Sequence, residues 1–197
     1  DAASTALRKY GSTATCEAQQ IIGMAQLALG RTTEAIDSLQ QAVQADPDDG
    51  KAYHRLGVAL ERAGRLDEAL TAHIECARLL PNFNPGLLRL ASIHRHLNQN
   101  QQARRVYEQV VKNNPYDPQA AAAIAELDMA NGRFDSALKR LENLLKRIPD
   151  HLPGRINAGV CLAALDRTDE AIIQFRAALA LDPNSQLAAI GLAQSLI

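Results

Sequence analysis

The fold is decided by residues 50–83, GKAYHRLGVALERAGRLDEALTAHIECARLLPNF. This stretch holds two amphipathic segments, which are separated at Gly64 and closed by Pro81. In the first segment the packing residues recur at the i, i+3, i+4, i+7 spacing of a helix: Tyr53, Leu56, Gly57 and Leu60. Because glycine ends helices and proline cannot continue one, the stretch predicts two helices joined by a turn.

The same pattern recurs along the chain with a period of 34 residues. Prolines keep this interval at Pro47, Pro81, Pro115, Pro149 and Pro183, and alanines keep it at Ala35, Ala69, Ala103, Ala137 and Ala171. A fixed period of this length indicates a stack of equal repeats. We expect five repeats, at 16–49, 50–83, 84–117, 118–151 and 152–185. Residues 1–15 are interpreted as the remnant of a preceding repeat, and residues 186–197 as the first helix of a truncated sixth.

Three further columns, each a set of equivalent positions in successive repeats, keep the 34-residue interval. A small residue recurs at Gly23, Gly57, Ala91, Ala125 and Gly159, and a large one at Leu39, His73, Tyr107, Leu141 and Phe175. A turn-forming residue recurs at Gly30, Gly64, Asn98, Gly132 and Asp166. Two helices approach closely only where side chains are short, so Gly57 and Ala69 are predicted to lie where the helices cross. This register predicts that an arginine at Ala69 destabilises the protein far more than one at Ala72.

The columns resemble those of the tetratricopeptide repeat family over residues 16–197. The second repeat carries the signature positions at Tyr53, Leu56, Gly57, Leu60, Gly64, Ala69, Cys76 and Pro81. The other repeats depart from the pattern with Gln26, Asp128 and Arg155, where bulky residues are usual. The resemblance implies an all-α fold, an α-solenoid of antiparallel helix pairs in a right-handed superhelix. It also implies that the first helix of each pair lines the concave surface.

Composition narrows the class of function. The net charge of −1 argues against a general nucleic-acid binder, and no apolar run reaches the ~18 residues that suggest a membrane span. The three cysteines lie far apart, without metal or redox spacing, and they are predicted to be buried small apolar residues. Their odd number favours a reducing compartment, the cytoplasm, with the periplasm as the alternative. No catalytic motif is present, so we expect no enzymatic activity, no cofactor and no metal.

The helix period assigns a second, partner-binding face to the first helices. In the second and third repeats this face is basic: Lys51, His54, Arg55, Arg62, Arg89, Arg95 and His96. In the fourth and fifth it is mainly apolar: Ala122, Glu126, Met129, Ile156, Asn157 and Val160. The face predicts a protein or peptide partner, extended or helical, with one acidic and one apolar end. Arg55 and Arg89 are predicted to bind its carboxylates. The alternative interpretation is a solvated basic surface with small residues kept for curvature.

The leading functional hypothesis is a non-enzymatic interaction scaffold that binds a peptide or helix in its concave groove. Two alternatives remain open: a targeting arm of a larger glycosyltransferase or sulfotransferase, and an envelope scaffold for polysaccharide export or protein secretion. The resemblance also implies two residue sets that family members use to bind particular ligands, and both can be compared with this sequence. The Lys/Asn set that clamps acidic chaperone tails is mostly absent, and of the asparagine ladder found in glycosyltransferase arrays only Asn157 is present.

The chain ends suggest a piece of a longer protein. The last segment restarts the repeat pattern with Leu187, Ile190, Leu192, Ala193 and Leu196. A terminal repeat normally needs a polar outer face, and this segment is apolar. We therefore expect an exposed C-terminal helix that associates with another molecule.

Overall fold

The computed structural model describes the backbone of residues 2–197 and the side chains from residue 11 onward, except residue 12. The described residues form α-helices and no strand, which confirms the all-α prediction. The helices are α1 (Ala2–Ala28), α2 (Thr32–Ala45), α3 (Gly50–Arg62), α4 (Leu66–Leu79), α5 (Asn84–His96), α6 (Asn100–Asn113), α7 (Pro118–Ala130), α8 (Phe134–Arg147), α9 (Leu152–Ala164), α10 (Thr168–Leu181) and α11 (Gln186–Ser195). Residues 1–15 are predicted to be the remnant of a preceding repeat, and most of their side chains lie outside the described residues.

The helices divide into two compact bodies. The N-terminal body ends at Val106 and the C-terminal body begins at Tyr107, so that α6 starts in one and ends in the other. In the N-terminal body α1 packs on α2 and α3 on α4, and α1 also contacts α3. In the C-terminal body α7 packs on α8 and α9 on α10, while α9 contacts both α7 and α11. Each body is therefore built from helical hairpins whose first helices follow one another.

A left-handed residue closes each hairpin turn. All five residues of the predicted turn column have positive φ: Gly30, Gly64, Asn98, Gly132 and Asp166, with φ of 76°, 73°, 58°, 70° and 58°. Glycine adopts this conformation without strain, and asparagine and aspartate adopt it more readily than other residues. After Gly64, the Arg65 amide donates to the Leu60 carbonyl oxygen at 2.9 Å, a bond typical of a Schellman motif.

The periodic prolines stand two residues beyond the second helices. For example, α4 ends at Leu79, and Leu80 has the non-helical angles φ −128° and ψ 71° before Pro81. The proline ring disfavours helical geometry in the residue before it. The prolines thus set where each second helix stops, as the sequence predicts.

The small and large columns meet where the two helices of a hairpin cross. A Cβ added at Gly57 would lie 2.5 Å from Nε2 of His73, and one at Gly159 would lie 2.7 Å from Cε1 of Phe175. Both distances are shorter than real Cβ contacts, so a side chain at either position would force the facing ring to shift. The residue that faces Gly57 is therefore His73, whereas Ala69 is buried against other core residues.

Two polar departures from the repeat pattern are buried or half-buried and have partners. Gln26 accepts a hydrogen bond on Oε1 from Oγ of Ser38 at 2.8 Å. Asp128 is only 2% exposed, and its carboxylate lies 3.0 Å from Arg133 Nη2 and 3.3 Å from Arg140 Nε. Since buried polar groups are tolerated when they are paired, these substitutions do not disturb the repeat.

The three cysteines are buried free thiols, as predicted: Cys16, Cys76 and Cys161. Burial raises the pKa of each thiol to about 11. A thiol with so high a pKa stays protonated at neutral pH and is a poor nucleophile and metal ligand. The cysteines therefore act as small core residues.

Candidate partner-binding surface

The first helices of the N-terminal body, α1, α3 and α5, present one connected surface. Side-chain hydrogen bonds link α3 to α1 through Arg55 and α5 to α3 through Arg89. The part of this surface that is exposed or half-exposed is called the first-helix surface: Ile21, Met24, Lys51, Arg55, Arg62 and Arg89. It carries most of the basic residues that the sequence predicts for partner binding.

A buried glutamine anchors Arg55. Nη1 of Arg55 donates to Oε1 of Gln20, and Nε2 of Gln20 donates to Oδ2 of Asp49 at 2.8 Å. Asp49 also caps the start of α3, accepting from the amides of Lys51 and Ala52. Burial alone would raise the pKa of Asp49, but the bonds from Gln20 and the two amides hold that pKa below its usual value. The network holds Arg55, whose side chain remains half-exposed.

A second network anchors Arg89. Oε2 of Glu61 lies 3.3 Å from Nη1 of Arg89, and Oε1 of Glu61 lies 2.8 Å from Nε2 of His73. Burial alone would raise the pKa of Glu61, but the hydrogen bond from His73 and the charge of Arg89 lower it, so the carboxylate is ionised at neutral pH. The side chain of Arg89 remains 54% exposed and is therefore accessible to a ligand.

Arg62 also contacts the preceding first helix. Its Nη1 donates to the carbonyl oxygen of Leu27 at 3.1 Å. Arg55, Arg62 and Arg89 thus each bind the first helix of the preceding repeat. The sequence predicts these arginines as partner contacts, and the structure shows that they also hold successive repeats together.

His54 adds no positive charge to this surface at neutral pH. Its ring is half-buried and packs edge-on against Phe83, with ring centroids 5.2 Å apart, and lies 5.5 Å from the ring of His73. Burial, together with the charges of His73 and Arg89, lowers the pKa of His54 to about 4. The predicted basic face therefore depends on its arginines and Lys51, and His54 is mainly a packing residue.

The depressed pKa of His54 makes stability depend on pH. The folded pKa of about 4 lies below the unfolded value of 6.5, so the unfolded chain binds more protons between these values. Stability is then fully present above pH 6.5 and is lost as the pH falls toward 4. We expect the urea midpoint to drop between about pH 7 and pH 5, and His54→Phe to remove much of that slope.

The exposed His96 on α5 supplies the control for this measurement. His96→Phe makes the same substitution at a side chain that is exposed rather than half-buried. An unchanged slope in His54→Phe would show that the burial of His54 does not govern the effect. Keeping the lowest pH near 5 limits the contribution of Glu61 and Asp49 to the pH slope, because the pKa of each carboxyl is lowered below its usual value.

The remaining predicted contacts differ in accessibility. Lys51, Arg95 and His96 are exposed in the N-terminal body. In the C-terminal body Val160 is 40% exposed, whereas Ala122 is buried at 9%. The other four residues are half-buried: Glu126, Met129, Ile156 and Asn157. The basic and apolar sets belong to different bodies, and within the C-terminal body α7 and α9 are in contact.

The predicted contacts include no residue of the first repeat. The helix period places Gln20, Ile21 and Met24 on the same face of α1. Ile21 and Met24 are 70% and 44% exposed, whereas Gln20 is 2% exposed and bridges two other side chains. The available signal was the repeat period, since Ile21 stands 34 residues before Arg55 in the same column.

The described residues offer no metal site or membrane span. No group of three His, Cys, Asp or Glu side chains among them has a geometry that could hold a metal ion. In the same part of the chain, no helix is long and apolar enough to span a membrane. In the C-terminal segment Leu187 is 70% and Ile190 55% exposed, whereas Leu192 is half-buried against the core. Their association with another molecule stays a prediction.

The sequence pattern that defines the tetratricopeptide repeat matches residues 22–81, 84–127 and 122–186. The chain is 26% identical over 167 residues to anaphase-promoting complex subunit 7 of Arabidopsis thaliana, which covers 84% of this chain and 30% of that protein. It is 27% identical over 82 residues to Hsp70-Hsp90 organizing protein 3 of the same plant, which covers 42% of this chain and 15% of that protein. The chain thus spans 30% or less of each relative's length.

Solved structures resemble the fold over most of the chain. MamA aligns with a TM-score of 0.78 at 19% identity, over 86% of this chain and 92% of that one. YrrB, described as a TPR protein with an unusual peptide-binding site, aligns with a TM-score of 0.77 at 19% identity, over 87% and 89%. A tetratricopeptide repeat protein from Parabacteroides merdae reaches 0.82 at 18% identity, over 92% and 72%. These likenesses confirm the predicted α-solenoid of helix pairs.

Proposed function

Because this chain belongs to the tetratricopeptide repeat family, we propose that it is a non-enzymatic scaffold that binds a protein partner along its first helices. The names of its curated relatives support a protein partner, since they describe a subunit of one assembly and an organizer of chaperones. The peptide-binding site named for the YrrB structure supports a peptide-sized contact. The partner segment is extended or helical and carries acidic residues.

The observation that carries the proposal is the anchoring of Arg55 and Arg89. These arginines occupy the same column of consecutive first helices, and each uses one N–H group to bind the preceding helix. A guanidinium has five N–H donors, so an anchored arginine keeps donors for a ligand. Anchoring also lowers the entropy that the side chain loses on binding, which favours affinity. Two arginines one repeat apart are therefore set to bind two carboxylates.

The neighbouring apolar residues indicate the chemistry of the partner beyond its acidic end. Ile21 and Met24 are exposed on α1, beside the helix that carries Arg55. We infer that the partner places apolar side chains on α1 and its carboxylates on α3 and α5. In the C-terminal body, Ile156 and Val160 offer a separate apolar contact on α9. Chaperone tails are not the proposed ligand, because Met24 and Leu88 stand where their clamp needs polar residues.

The test is the affinity of an acidic peptide for a charge-reversed surface. The probe is a labelled Glu/Asp-rich peptide with a Leu-Leu end, followed by fluorescence anisotropy at low and high salt. Arg55→Glu/Arg89→Glu should weaken binding at least about tenfold, because two charge-assisted hydrogen bonds are replaced by repulsion. High salt should weaken the parent complex in the same direction.

The control reverses the charge of two arginines outside the first helices. Arg31→Glu/Arg78→Glu makes the same change in net charge, and both arginines are exposed. Each forms an ion pair with a glutamate three residues away in the sequence. This double variant should keep most of the affinity of the parent protein. Equal loss in the two double variants would reduce the effect to overall charge, and unchanged affinity in Arg55→Glu/Arg89→Glu would exclude the first-helix surface as the binding site.

A further inference from the structure

A cavity in the C-terminal body is lined by none of the residues of the first-helix surface. It has a volume of about 550 Å³ and is formed by the end of α6, the loop between α6 and α7, Ala121 on α7, and the second half of α8. Its walls include the apolar side chains of Val111, Leu144 and Ile148. The volume falls within the range of about 300–1,000 Å³ that is usual for small-ligand sites. We call it the second-helix cavity.

The mouth of the second-helix cavity is basic. Arg140, Lys146 and Arg147 are among its lining residues, and the lining residues within the C-terminal body include no aspartate or glutamate. Arg140 is held by the carboxylate of Asp128, 3.3 Å from its Nε. Lys146 and Arg147 are exposed. The combination of an apolar wall and a positive mouth favours a ligand that is apolar at one point and negatively charged beside it.

A stacking contact positions one of these charges. Cζ of Arg147 lies 3.3 Å from the centre of the Tyr116 ring, and the ring is otherwise 60% exposed. A guanidinium that stacks on an aromatic face keeps its N–H groups in the plane parallel to the ring, where they can bind a carboxylate through two hydrogen bonds. The Tyr116–Arg147 stack therefore presents a carboxylate-binding group at the cavity mouth.

We propose that the second-helix cavity is a second peptide site, which binds an acidic partner segment carrying a bulky apolar side chain. The apolar side chain enters between Val111, Leu144 and Ile148, and a neighbouring carboxylate binds Arg147. The site goes beyond the proposed function, because it is formed mainly by second helices and needs no residue of the first-helix surface. Two separate sites would allow one chain to hold two segments of a partner, or two partners.

The test uses a labelled peptide, acetyl-Asp-Glu-Leu-Phe-Glu-Asp-amide, and two comparison peptides. In one comparison peptide Ser-Ser replaces Leu-Phe, and in the other Asn and Gln replace the acids. Only the first peptide should bind with full affinity, because the site needs both the apolar and the charged part. Equal binding of the Ser-Ser peptide would overturn the role of the cavity, and equal binding of the uncharged peptide would overturn the role of the basic mouth.

Variants of the chain locate the site. Arg147→Ala should weaken binding at least about tenfold, and Tyr116→Leu severalfold, since the second removes only the stacking surface. Ala121→Phe should block the apolar part of the cavity without changing charge. Arg176→Ala, at an exposed arginine of the same body outside the cavity, is the matched control and should bind like the parent protein. Melting curves of all four variants separate lost binding from lost folding.

Three outcomes would overturn the proposal. Unchanged affinity in both Arg147→Ala and Ala121→Phe would place the peptide elsewhere. Loss of binding only in Arg55→Glu/Arg89→Glu would assign the peptide to the first-helix surface and leave the proposed function intact. Dimerisation of the peptide-free chain that is abolished by Ala121→Phe would show that a second copy, not a partner peptide, occupies the cavity. Sedimentation of the parent protein and of Ala121→Phe measures this last case.

Discussion

Ala69→Arg is expected to lower the free energy of unfolding by about 3–5 kcal/mol, because it places a charge in a dry core. Ala69 lies on α4 with no exposed surface and belongs to one core cluster with Ile36, Leu56 and Leu60. The members of this cluster are apolar, so an arginine side chain at position 69 would have to displace them to reach water. The chain has no tryptophan, so urea unfolding is best followed by circular dichroism.

The control for this variant has to come from the structure. The sequence predicts that arginine at Ala72 destabilises far less than arginine at Ala69, but Ala72 is 5% exposed and lies in the same cluster as Ala69. Ala72→Arg is therefore also destabilising and is not a valid control. Thr71 is exposed on the same helix, and Thr71→Arg should change the unfolding free energy by about 0.5 kcal/mol or less. Similar urea midpoints for Ala69→Arg and Thr71→Arg would contradict the packing of α4.

Phe175→Ala is expected to cost about 3–5 kcal/mol in the C-terminal body, because it removes a large buried ring and leaves a cavity. Phe175 is 1% exposed, and a Cβ added at Gly159 or Gly191 would lie within 2.7 Å of its ring. Neither glycine has a side chain that could fill the space left by the ring. The loss should therefore loosen the contacts of α10 with both α9 and α11.

A neighbouring isoleucine makes the matched control. Ile173 lies on the same helix and is 62% exposed, so Ile173→Ala should cost about 0.5 kcal/mol or less. Hydrogen exchange shows which helices lose stability. Contacts in repeat proteins are mostly between neighbours, so the loss should stay near the substituted residue. In Phe175→Ala the amides of α9, α10 and α11 should lose protection while those of α3 and α4 keep theirs. Uniform loss along the whole chain would show that the stability of this protein is not distributed by repeat.

Most of the fold could be predicted from the sequence because it depends on local rules that recur. Gly64 and its counterparts were identified as turn residues from their spacing, and all five have left-handed φ. Pro81 and its counterparts mark the ends of second helices because proline restricts the residue before it. Period alone could not identify which small residue faces which large one. The contact of Gly57 with His73 became apparent only from the helix crossing.

The candidate surface was predicted less well than the fold. The helix period placed Arg55 and Arg89 in one column, but it did not show that Gln20 and Glu61 bind them. It also counted His54 as basic, whereas burial leaves that imidazole neutral at pH 7. These errors share a cause. A period assigns a face to each residue, but the burial and partners of a long side chain depend on the neighbouring repeat.

The sequence by itself determined the class of this protein: the repeats, the helix pairs, the turns and the buried cysteines. Each of these follows from backbone preference or from apolar periodicity, which operate over a few residues and repeat every 34. Only the tertiary structure decided how the polar side chains are used. It couples Arg55 to Gln20, Arg89 to Glu61 and Arg147 to Tyr116. Such pairs join residues about 30 positions apart, and the free energy of a charged group is set by the burial and the partners that only the packed repeats supply.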